Sequence, residues 1–505
     1  MRLSDILENT GCRIVAGDAG TDISSVEYDS RKITRGSMFV AIKGFTSDGH
    51  DYVESCVSDC GAAAVLVQEN NGRLDDSALR ALSEKTGCVT VAAADTRRTL
   101  AQVTAAISGH PEEKLRICGI TGTKGKTTST FMLRAILEQS GIKAGLIGTV
   151  VNMVGDKRIH SEHTTPESHE IYSMMSGMVD SGATDLVMEV SSQGLKLDRV
   201  YGLRYKCACF TNLYEDHISQ NEHPDMEDYL NCKLRLFDNC EYGIINRDCH
   251  CAGRVTEYAE GKCRIVTYGL EEGADVRAVN LRKERRGHIT GTGFTIVSPF
   301  YNGELFVALP GEFNVYNALC AICCAGVLGV GFESVKSALA VVSVPGRVQP
   351  VPNSLGISIL VDYAHNAAAL ESVISTLREY TEGRLITLFG CGGNRARSRR
   401  FEMGETSGRL SDITIITSDN PRKEEPAAIL ADIRTGIDKT DGYYEIIEDR
   451  TEAIYRAIAI ARKGDTVLIA GKGHEDYQIF ADRTIHYDDF EVAGEAVEKA
   501  EAGRL

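Results

Sequence analysis

The segment GITGTKGKTTST at residues 119–130 has the residue types of a loop that binds nucleotide phosphates. Gly122 and Gly125 allow the backbone to turn its N–H groups towards an anion. Lys126 supplies a positive charge for the β- and γ-phosphates, and a threonine hydroxyl directly after it can reach Mg²⁺. The spacing departs from the standard Walker A sequence, because Ile120 stands where the first glycine is expected. The candidate ATP-binding residues of the loop are Gly122, Thr123, Lys124, Gly125, Lys126, Thr127 and Thr128, and Thr127 is also a candidate metal ligand.

The residues around this loop predict the elements that hold it. The apolar segment LRIC at residues 115–118 predicts a strand, and FMLRAILEQSG at residues 131–141 predicts a helix. A strand, a glycine-rich turn and a helix form the context in which Gly-Lys-Thr indicates phosphate binding rather than an ordinary turn. We therefore predict that the chain binds ATP or GTP.

Two further apolar segments end in groups that can ligate a metal. DLVMEV at residues 185–190 contains Glu189, and KCACFTNL at residues 206–213 leads to His217. If both are strands beside the phosphate loop, these groups lie at the same carboxyl edge of a parallel sheet. The alternative is a buried hydrogen-bonding role for each, and we favour Mg²⁺ ligation.

The composition excludes several classes of protein. The chain has 505 residues, 43% of them hydrophobic and 25% charged, which indicates a globular protein of about two to four domains. The net charge of −16 argues against a nucleic-acid partner. No apolar run reaches the roughly 18 residues of a membrane span, and the N-terminus does not resemble a signal peptide. We expect a cytoplasmic protein with no membrane partner and, because no coiled coil or partner-binding repeat is visible, a monomer.

The sixteen cysteines are spread along the chain, and several stand in apolar surroundings where a thiol behaves as a small hydrophobic group. Cys320 and Cys323 have the CxxC spacing of metal and redox sites. They lie in the alanine-rich segment NALCAICCAGVLG at residues 317–329, which predicts a buried helix. Core packing is therefore favoured over metal binding or redox use.

Changes in pattern divide the chain into three predicted α/β domains, at residues 1–112, 113–342 and 343–505. The middle domain carries the phosphate loop and a β-rich excursion at about residues 270–310, where polar and apolar residues alternate. The last domain repeats a strand-and-helix rhythm without a phosphate loop. Its predicted strands, each ending in a polar cluster, lie in ISILVDYAH, RLITLFGCGG, DITIITSDNPR and DTVLIAGKGHED.

The first domain offers few groups for chemistry. Ser30, Arg31 and the turn DGHDYV at residues 48–53 are its polar candidates for ligand binding. Capping and turn roles are an equally good interpretation of these residue types.

Ten motifs, taken in order, resemble the Mur ligases over essentially the whole chain: TGTKGKTT, TTPES, MEVSS, TNLYEDH, YLNCKLRLF, GEFNVYN, PGR, VDYAH, DNPR and GKGHED. The resemblance implies an N-terminal domain that holds a uridine nucleotide and a central ATPase domain. It also implies a C-terminal Rossmann-like open sheet that closes over ATP and the incoming amino acid.

The motifs are most similar to those members that add a diamino acid to UDP-N-acetylmuramoyl-L-alanyl-D-glutamate in peptidoglycan synthesis. The implied reaction uses ATP and Mg²⁺ to form an acyl phosphate on the D-glutamyl γ-carboxylate, which the amine of the amino acid then attacks. The implied catalytic residues are Lys126, Glu189, His217 and Lys233. The last of these carries a carbamate that ligates a second Mg²⁺, although composition alone describes it as a solvated helix residue.

The resemblance also implies binding residues for each substrate. Further ATP-binding residues are Asn314, Arg347 and Asp362. The residues implied to bind the UDP-linked substrate are Ser30, Thr164, Thr165, Ser191 and Arg199. The residues implied to bind the amino acid are Arg395, Asp419, Asn420, Pro421, Arg422, Gly471 and Glu475.

Arg422 indicates which amino acid is used. meso-Diaminopimelate differs from L-lysine by one carboxylate at the far end of the side chain, and the planar arginine fork matches a carboxylate. Glu475 and the backbone near Gly471 are expected to hold the distal ammonium. We therefore predict meso-diaminopimelate as the partner substrate, with L-lysine as the alternative.

Some residues depart from the family pattern. Lys124 stands for the usual asparagine, Gln193 for a histidine, and Leu197 for a glutamine that contacts substrate in relatives. The segment ISQNEHPDMEDYL at residues 218–230 also differs. These departures keep open a diverged Mur-type ligase that acts on a modified substrate.

Two other classes of function compete with this prediction. A folylpolyglutamate synthase is disfavoured, because DNPR and GKGHED suit a zwitterionic diamino acid. A non-catalytic nucleotide switch or transporter ATPase would leave Lys233 and Arg347 without a purpose.

Overall fold

The structure, a computed structural model, describes residues 1–219 and 222–505. Gln220 and Asn221 lie outside the described residues, and with them part of the divergent segment at residues 218–230. Helices alternate with strands through most of the chain, which confirms the predicted α/β fold class.

Two compact units make up the chain. One is formed by Met1–Tyr268 and Cys323–Val330, and the other by Gly269–Ile322 and Gly331–Leu505. The division into three domains, with boundaries after residues 112 and 342, stays a prediction.

The first unit begins with a five-stranded sheet. Its elements are α1 (Leu3–Ile6), β1 (Arg13–Ala16), β2 (Val26–Glu27), β3 (Met38–Val40), α2 (Val53–Ser58), β4 (Ala64–Gln68), α3 (Asp76–Thr86), β5 (Val89–Ala93) and α4 (Thr96–Ile107). The strand order is β1-β5-β4-β3-β2, with β2 to β5 parallel and β1 antiparallel at the edge. The strands are short apolar runs, as expected for a sheet with helices packed on it.

A larger, mostly parallel sheet follows in the same unit. Its elements are β6 (Arg116–Thr121), α5 (Lys126–Gln139), β7 (Ala144–Ile147), β8 (Asn152–Val154), β9 (Lys157–Ile159), α6 (Ser168–Asp180), β10 (Asp185–Glu189), α7 (Ser192–Lys196), β11 (Tyr205–Phe210), α8 (Met226–Leu234), β12 (Cys240–Asn246), α9 (Ala252–Ala259) and β13 (Arg264–Gly269). Within the unit the strand order is β13-β12-β11-β6-β10-β7-β8-β9. β6 lies between β11 and β10 and is parallel to both. The ends of the two strands predicted to carry metal ligands therefore flank the phosphate loop.

The second unit opens with an antiparallel meander, which confirms the predicted β-rich excursion. Its elements are β14 (Val276–Arg286), β15 (Ile289–Val297), β16 (Asn302–Val307), α10 (Glu312–Val327) and α11 (Phe332–Leu339). Residues 323–327 of α10 belong to the first unit. Cys320 and Cys323 in α10 are fully buried, in agreement with core packing. All sixteen cysteines lie among the described residues, and none of them forms a disulfide. No helix in the described parts of the chain is both long and apolar enough to span a membrane.

A six-stranded open sheet completes the second unit. Its elements are β17 (Gln349–Pro350), β18 (Ser358–Asp362), α12 (Ala367–Arg378), β19 (Leu385–Phe389), α13 (Ser398–Leu410), β20 (Ile413–Ile416), α14 (Pro426–Ile437), β21 (Tyr444–Ile446), α15 (Arg450–Ile460), β22 (Thr466–Ala470), β23 (Tyr477–Ile479), β24 (Thr484–His486) and α16 (Asp489–Glu501). The order in the six-stranded sheet is β17-β18-β22-β19-β20-β21, parallel except for β17. β23 and β24 form a separate antiparallel pair. β18, β19, β20 and β22 are the four predicted strands. The edge strands β17 and β21 were not predicted, because they are too short to show a pattern.

Candidate active site

The phosphate loop connects β6 to α5, as the sequence predicts. Gly122 has a φ of +146° and Gly125 a φ of +85°, a region that favours glycine. A Cβ at Gly122 would lie 2.0 Å from Thr211 Oγ1, so no side chain fits there. Lys126 Nζ donates to the carbonyl oxygens of Gly122 at 2.8 Å and Thr123 at 3.1 Å. The loop therefore holds its lysine against its own backbone.

Glu189, at the carboxyl end of β10, is a carboxylate with 1% exposure. Thr127 Oγ1, in the first turn of α5, donates to its Oε2 at 3.0 Å. Thr149 donates through its N–H to Oε1 at 2.8 Å and through its hydroxyl to Oε2 at 3.0 Å. All three donors are neutral groups. The buried Glu189 carboxylate therefore lies beside hydroxyl oxygens at the phosphate loop. Clustered hard oxygen atoms of this kind fit Mg²⁺.

Hydrogen bonds join this cluster to four residues implied to bind the UDP-linked substrate. The hydroxyl oxygens of Thr164 and Thr149 are 3.0 Å apart. Thr165 Oγ1 accepts from the Ser191 N–H at 2.9 Å, and Arg199 Nη1 donates to the Thr165 carbonyl oxygen at 2.9 Å. The structure therefore brings Thr164, Thr165, Ser191 and Arg199 together.

Ser30 is the fifth residue implied to bind the UDP-linked substrate. It begins the short 3₁₀ helix Ser30–Lys32, which lies between β2 and β3. Arg31 donates to its N-cap Asp29 through the backbone N–H at 3.0 Å and pairs with it through the guanidinium. In the turn at residues 48–53, Asp48 likewise caps a 3₁₀ helix. Asp29 and Asp48 therefore cap the two short helices, and ligand binding by Ser30, Arg31 and this turn stays a prediction.

Among the described residues, the contacts of His217 do not include Thr127, Thr149 or Glu189. Its Nδ1 is 3.0 Å from Glu222 Oε1, and its ring centroid is 5.8 Å from that of Tyr229. The neighbouring Asp216 pairs with Lys124 Nζ at 3.3 Å. Burial would raise the pKa of Asp216, but the charges of His217 and Lys124 lower it overall. Metal ligation by His217 stays a prediction.

Lys233, in α8, is buried with 1% exposure, so the description of this residue as solvated, drawn from composition alone, is wrong. Its Nζ donates to the Gly122 carbonyl oxygen at 3.0 Å and lies 4.4 Å from the ring centroid of Tyr229. Burial, and next the charge of Lys126, lower the pKa of Lys233 well below its ordinary value. A neutral amine at the phosphate loop is the form that reacts with carbon dioxide.

His223 is a site component that the sequence analysis did not identify. It is fully buried, with Nδ1 2.7 Å from Asp228 Oδ2 and Nε2 2.9 Å from Ser192 Oγ. Burial lowers its pKa although Asp228 opposes this effect. Ser192 is itself only 5% exposed, so the arrangement joins α7 to α8 rather than presenting a nucleophile.

In the second unit, the residues implied to bind ATP are held by backbone groups. Asp362, at the end of β18, accepts from the N–H groups of Val348 and Ala364, both at 2.8 Å. Burial raises the pKa of Asp362, and the charge of Arg347 opposes this. Asn314 is 3% exposed, and its Nδ2 donates to a backbone carbonyl oxygen one turn earlier at 2.8 Å.

Two arginines of the implied amino-acid pocket approach the same backbone. Arg422 has a φ of +54°, and its Nη1 donates to the Gly393 carbonyl oxygen at 2.9 Å. A Cβ at Gly392 would lie 2.8 Å from Arg422 Nη1 and 3.8 Å from Arg395 Cγ. Arg395 is part of the glycine-rich turn after β19, and the Arg422 side chain reaches the same turn, where a guanidinium can meet a carboxylate.

The remaining pocket residues surround a buried lysine that the sequence analysis missed. Lys472 is fully buried, and its Nζ lies 3.4 Å from both Glu475 Oε2 and Asn420 Oδ1. Asn420 Nδ2 donates to the same Glu475 oxygen at 2.8 Å. Gly471 has a φ of +114°, and a Cβ there would lie 2.9 Å from Asp419 Oδ2. The charge of Glu475 is therefore balanced from within the chain.

Three family descriptions match the chain in order. The Mur ligase family catalytic domain matches residues 22–108, and the Mur ligase middle domain matches residues 120–325. The glutamate ligase domain of Mur ligases matches residues 346–473.

Similarity to curated proteins extends along nearly the whole chain. A UDP-N-acetylmuramoyl-L-alanyl-D-glutamate--2,6-diaminopimelate ligase of Clostridium botulinum is 43% identical, over 95% of this chain and 96% of the relative. The ligase of the same name from Clostridioides difficile is 41% identical, over 99% of this chain and 100% of the relative. The chain belongs to the Mur ligase family.

Solved structures agree with membership of the Mur ligases. A structure of a 2,6-diaminopimelate-adding ligase of the same name superimposes with a TM-score of 0.73 and 27% identity, covering 99% of both chains. The MurF ligase of Thermotoga maritima in complex with ADP has a TM-score of 0.57 and 17% identity, over 96% of this chain and 99% of that one. The second likeness is one of fold alone.

For this Mur ligase, the residues that sequence reasoning missed contact implied site residues or, for His223, the chain neighbour of one. Thr149 holds Glu189, His223 holds Ser192, and Lys472 holds Glu475. The GKGHED motif contains Lys472, so the motif gave a signal there that was not used. Thr149 and His223 stand outside the quoted motifs.

Proposed function

We propose that this Mur ligase joins meso-2,6-diaminopimelate to UDP-N-acetylmuramoyl-L-alanyl-D-glutamate, coupled to cleavage of ATP to ADP and phosphate. The observation that carries the proposal is that ligases bearing this name are 38% to 43% identical to the chain along nearly its whole length. The product is a precursor of peptidoglycan. We expect the reaction to take place in the cytoplasm, where ATP and nucleotide-linked precursors are available, and the enzyme to act as a monomer.

The phosphate loop binds the triphosphate of ATP in this proposal. Lys126 leaves its backbone contacts to meet the β- and γ-phosphates, and the loop N–H groups bind the phosphate oxygens. Thr127 and Glu189 would hold Mg²⁺, a role that their adjacent hard oxygen atoms support. His217 and the carbamate on Lys233 would supply further ligands. The metal supplies charge neutralisation, which allows a carboxylate to approach a triphosphate.

Carbamylation of Lys233 follows from its environment. The neutral Nζ attacks the carbon of carbon dioxide, an N–C bond forms, one C=O π bond opens onto its oxygen, and one proton leaves the nitrogen to solvent. The product is an anion in place of a neutral amine. The lowered pKa of Lys233 supports this step, because it keeps the amine unprotonated at a pH where an exposed lysine is charged.

The bound dipeptide then reacts at its D-glutamyl γ-carboxylate. Ser30 contacts the uridine nucleotide, and the cluster of Thr164, Thr165, Ser191 and Arg199 contacts the muramoyl dipeptide. A carboxylate oxygen attacks the γ-phosphorus, the bond to the β,γ-bridging oxygen breaks, and ADP leaves. The amine of the amino acid attacks the resulting acyl phosphate, and the C–O bond breaks to release phosphate as the amide forms.

The amino-acid pocket selects a substrate with two carboxylates. Arg422, held at the turn that Arg395 also reaches, meets the distal carboxylate. Glu475, whose Oε2 lies 3.4 Å from Lys472 Nζ, and the backbone near Gly471 would hold the distal ammonium. This arrangement supports meso-diaminopimelate over L-lysine, which would leave Arg422 without an anion.

The test is phosphate release from purified enzyme with ATP, the UDP-linked dipeptide and a panel of amino acids. Release is expected only when the dipeptide and meso-diaminopimelate are both present, with a tripeptide product identified by mass. Lys126→Ala should lose activity by roughly 10²–10³, whereas the exposed Lys143→Ala in the same unit should not. Equal turnover with L-lysine would overturn the choice of amino acid, and release without the dipeptide would overturn the ligase itself.

A further inference from the structure

The turn between β12 and α9 carries two cysteines separated by one residue, Cys249 and Cys251. Their Sγ atoms are 3.3 Å apart. The Ala252 N–H donates to the Cys249 carbonyl oxygen at 2.8 Å, which closes the turn and holds the two thiols on the same side of it. Neither residue belongs to the site proposed for the ligase reaction.

The two thiols differ in exposure and in acidity. Cys249 is partly exposed, whereas Cys251, the N-cap of α9, is 7% exposed. The hydrogen-bond contact between the two sulfurs lowers the pKa of Cys249 to about 6 although burial opposes this. That hydrogen bond and burial raise the pKa of Cys251 well above its ordinary value. Cys249 is therefore the more exposed residue of the pair and the one at which the thiolate is favoured.

A second cysteine pair in the same compact unit differs from the first in its exposure. The Sγ atoms of Cys209 and Cys324 are also 3.3 Å apart, but both residues are fully buried. The sulfur–sulfur distance is the same in both pairs. One pair includes a partly exposed cysteine, whereas both members of the other pair are buried. The second pair is therefore a matched control within the same chain.

We propose that Cys249 and Cys251 form a peroxide-reactive dithiol that closes to an intrachain disulfide. The thiolate of Cys249 attacks one oxygen of hydrogen peroxide, so an S–O bond forms, the O–O bond breaks and hydroxide leaves. The sulfur of Cys251 then attacks the resulting sulfenic acid, so an S–S bond forms and the S–O bond breaks. The departing hydroxide takes the Cys251 proton. The two sulfurs lose two electrons, and hydrogen peroxide is reduced to one molecule of water and one hydroxide, which takes up the proton that Cys249 released when it became a thiolate.

The experiment uses the full-length protein and one tryptic peptide. Trypsin cleaves after Arg247 and Arg254 and releases residues 248–254, DCHCAGR, which contain Cys249 and Cys251 and no other cysteine. After treatment with hydrogen peroxide, this peptide is expected to lose the mass of two hydrogen atoms and to resist alkylation until a dithiol reductant is added. The Cys209 and Cys324 peptides are expected to remain alkylated under the same conditions.

Two variants assign the roles of the sulfurs. Cys251→Ser is expected to leave a sulfenic acid on Cys249 that a carbon nucleophile such as dimedone traps. Cys249→Ser is expected to show no trapped adduct on Cys251. Three results with the wild-type protein would overturn the proposal: an unmodified peptide, a sulfinic acid in place of the disulfide, or a Cys209–Cys324 disulfide that forms first. None of these readouts depends on a variant that folds.

Discussion

Lys233 Nζ and Lys126 Nζ both donate to the carbonyl oxygen of Gly122, at 3.0 Å and 2.8 Å. Two ammonium groups on one oxygen repel each other, and Lys233 is also buried, so its protonated form is the one destabilised. A carbamate on Lys233 removes this repulsion, because it replaces a positive charge with a negative one. The carbamylation proposed for Lys233 therefore depends on a feature that the protein already has before any substrate binds.

Lys233→Ala should reduce ligation by at least roughly 10²-fold, because it removes a proposed metal ligand. Short carboxylates such as acetate should restore part of the activity by filling the space of the carbamate. Lys206→Ala, which changes a lysine in a surface pair with Glu241, should leave the rate unchanged. Carbon-13 NMR with labelled bicarbonate checks the modification directly, and the absence of a carbamate signal in active enzyme would refute it.

Lys233→Met should be inactive yet more stable than the wild-type protein in bicarbonate-free buffer, because an apolar side chain replaces a buried amine. Between the lowered pKa of Lys233 and its ordinary value of 10.5, the unfolded chain binds a proton that the folded chain lacks. The free energy of unfolding of the wild type therefore rises with pH in this window. Urea unfolding at several pH values should show the advantage of Lys233→Met shrinking as the pH rises. An advantage that grows would contradict the lowered pKa.

His223→Ala should lower the free energy of unfolding by about 1–3 kcal/mol, because Ser192 and Asp228 both lose a buried partner. It should also raise KM for the UDP-linked dipeptide more than it changes kcat, because α7 carries Ser191 at its N-cap. Denaturant unfolding and steady-state kinetics measure the two effects. The exposed His160→Ala is the control, and equal unfolding midpoints for all three proteins would show that His223 does not join the helices.

The parts of this site that could be predicted are those whose residues are contiguous or lie at strand ends. The phosphate loop is a single segment, and Glu189 ends a short apolar run that the sequence predicts as a strand. The burial of Lys233 could not be predicted from periodicity, because it depends on a contact with Gly122, 111 residues away. The contact of His223 with Ser192 likewise arises where α7 meets α8. Long-range packing, which no local pattern records, decides both.

Arg422→Ala should reduce kcat/KM for meso-diaminopimelate by roughly 10²–10⁴, because the distal carboxylate loses a bidentate partner. Activity with L-lysine should rise little, since Arg395 still reaches the same turn. The substitution keeps a Cβ at the left-handed position, so the backbone cost is unchanged. Neighbouring Lys423→Ala is the control. A variant that keeps full diaminopimelate activity would remove Arg422 from the pocket.

The transfer of oxygen from substrate to phosphate tests the central claim, ligation through an acyl phosphate, most directly. The UDP-linked dipeptide is prepared with oxygen-18 in both oxygens of its γ-carboxylate and turned over with ATP and meso-diaminopimelate. We predict one oxygen-18 atom in each released phosphate and the other in the carbonyl of the new amide. Phosphate that contains no oxygen-18, formed together with the tripeptide, would contradict the proposed reaction.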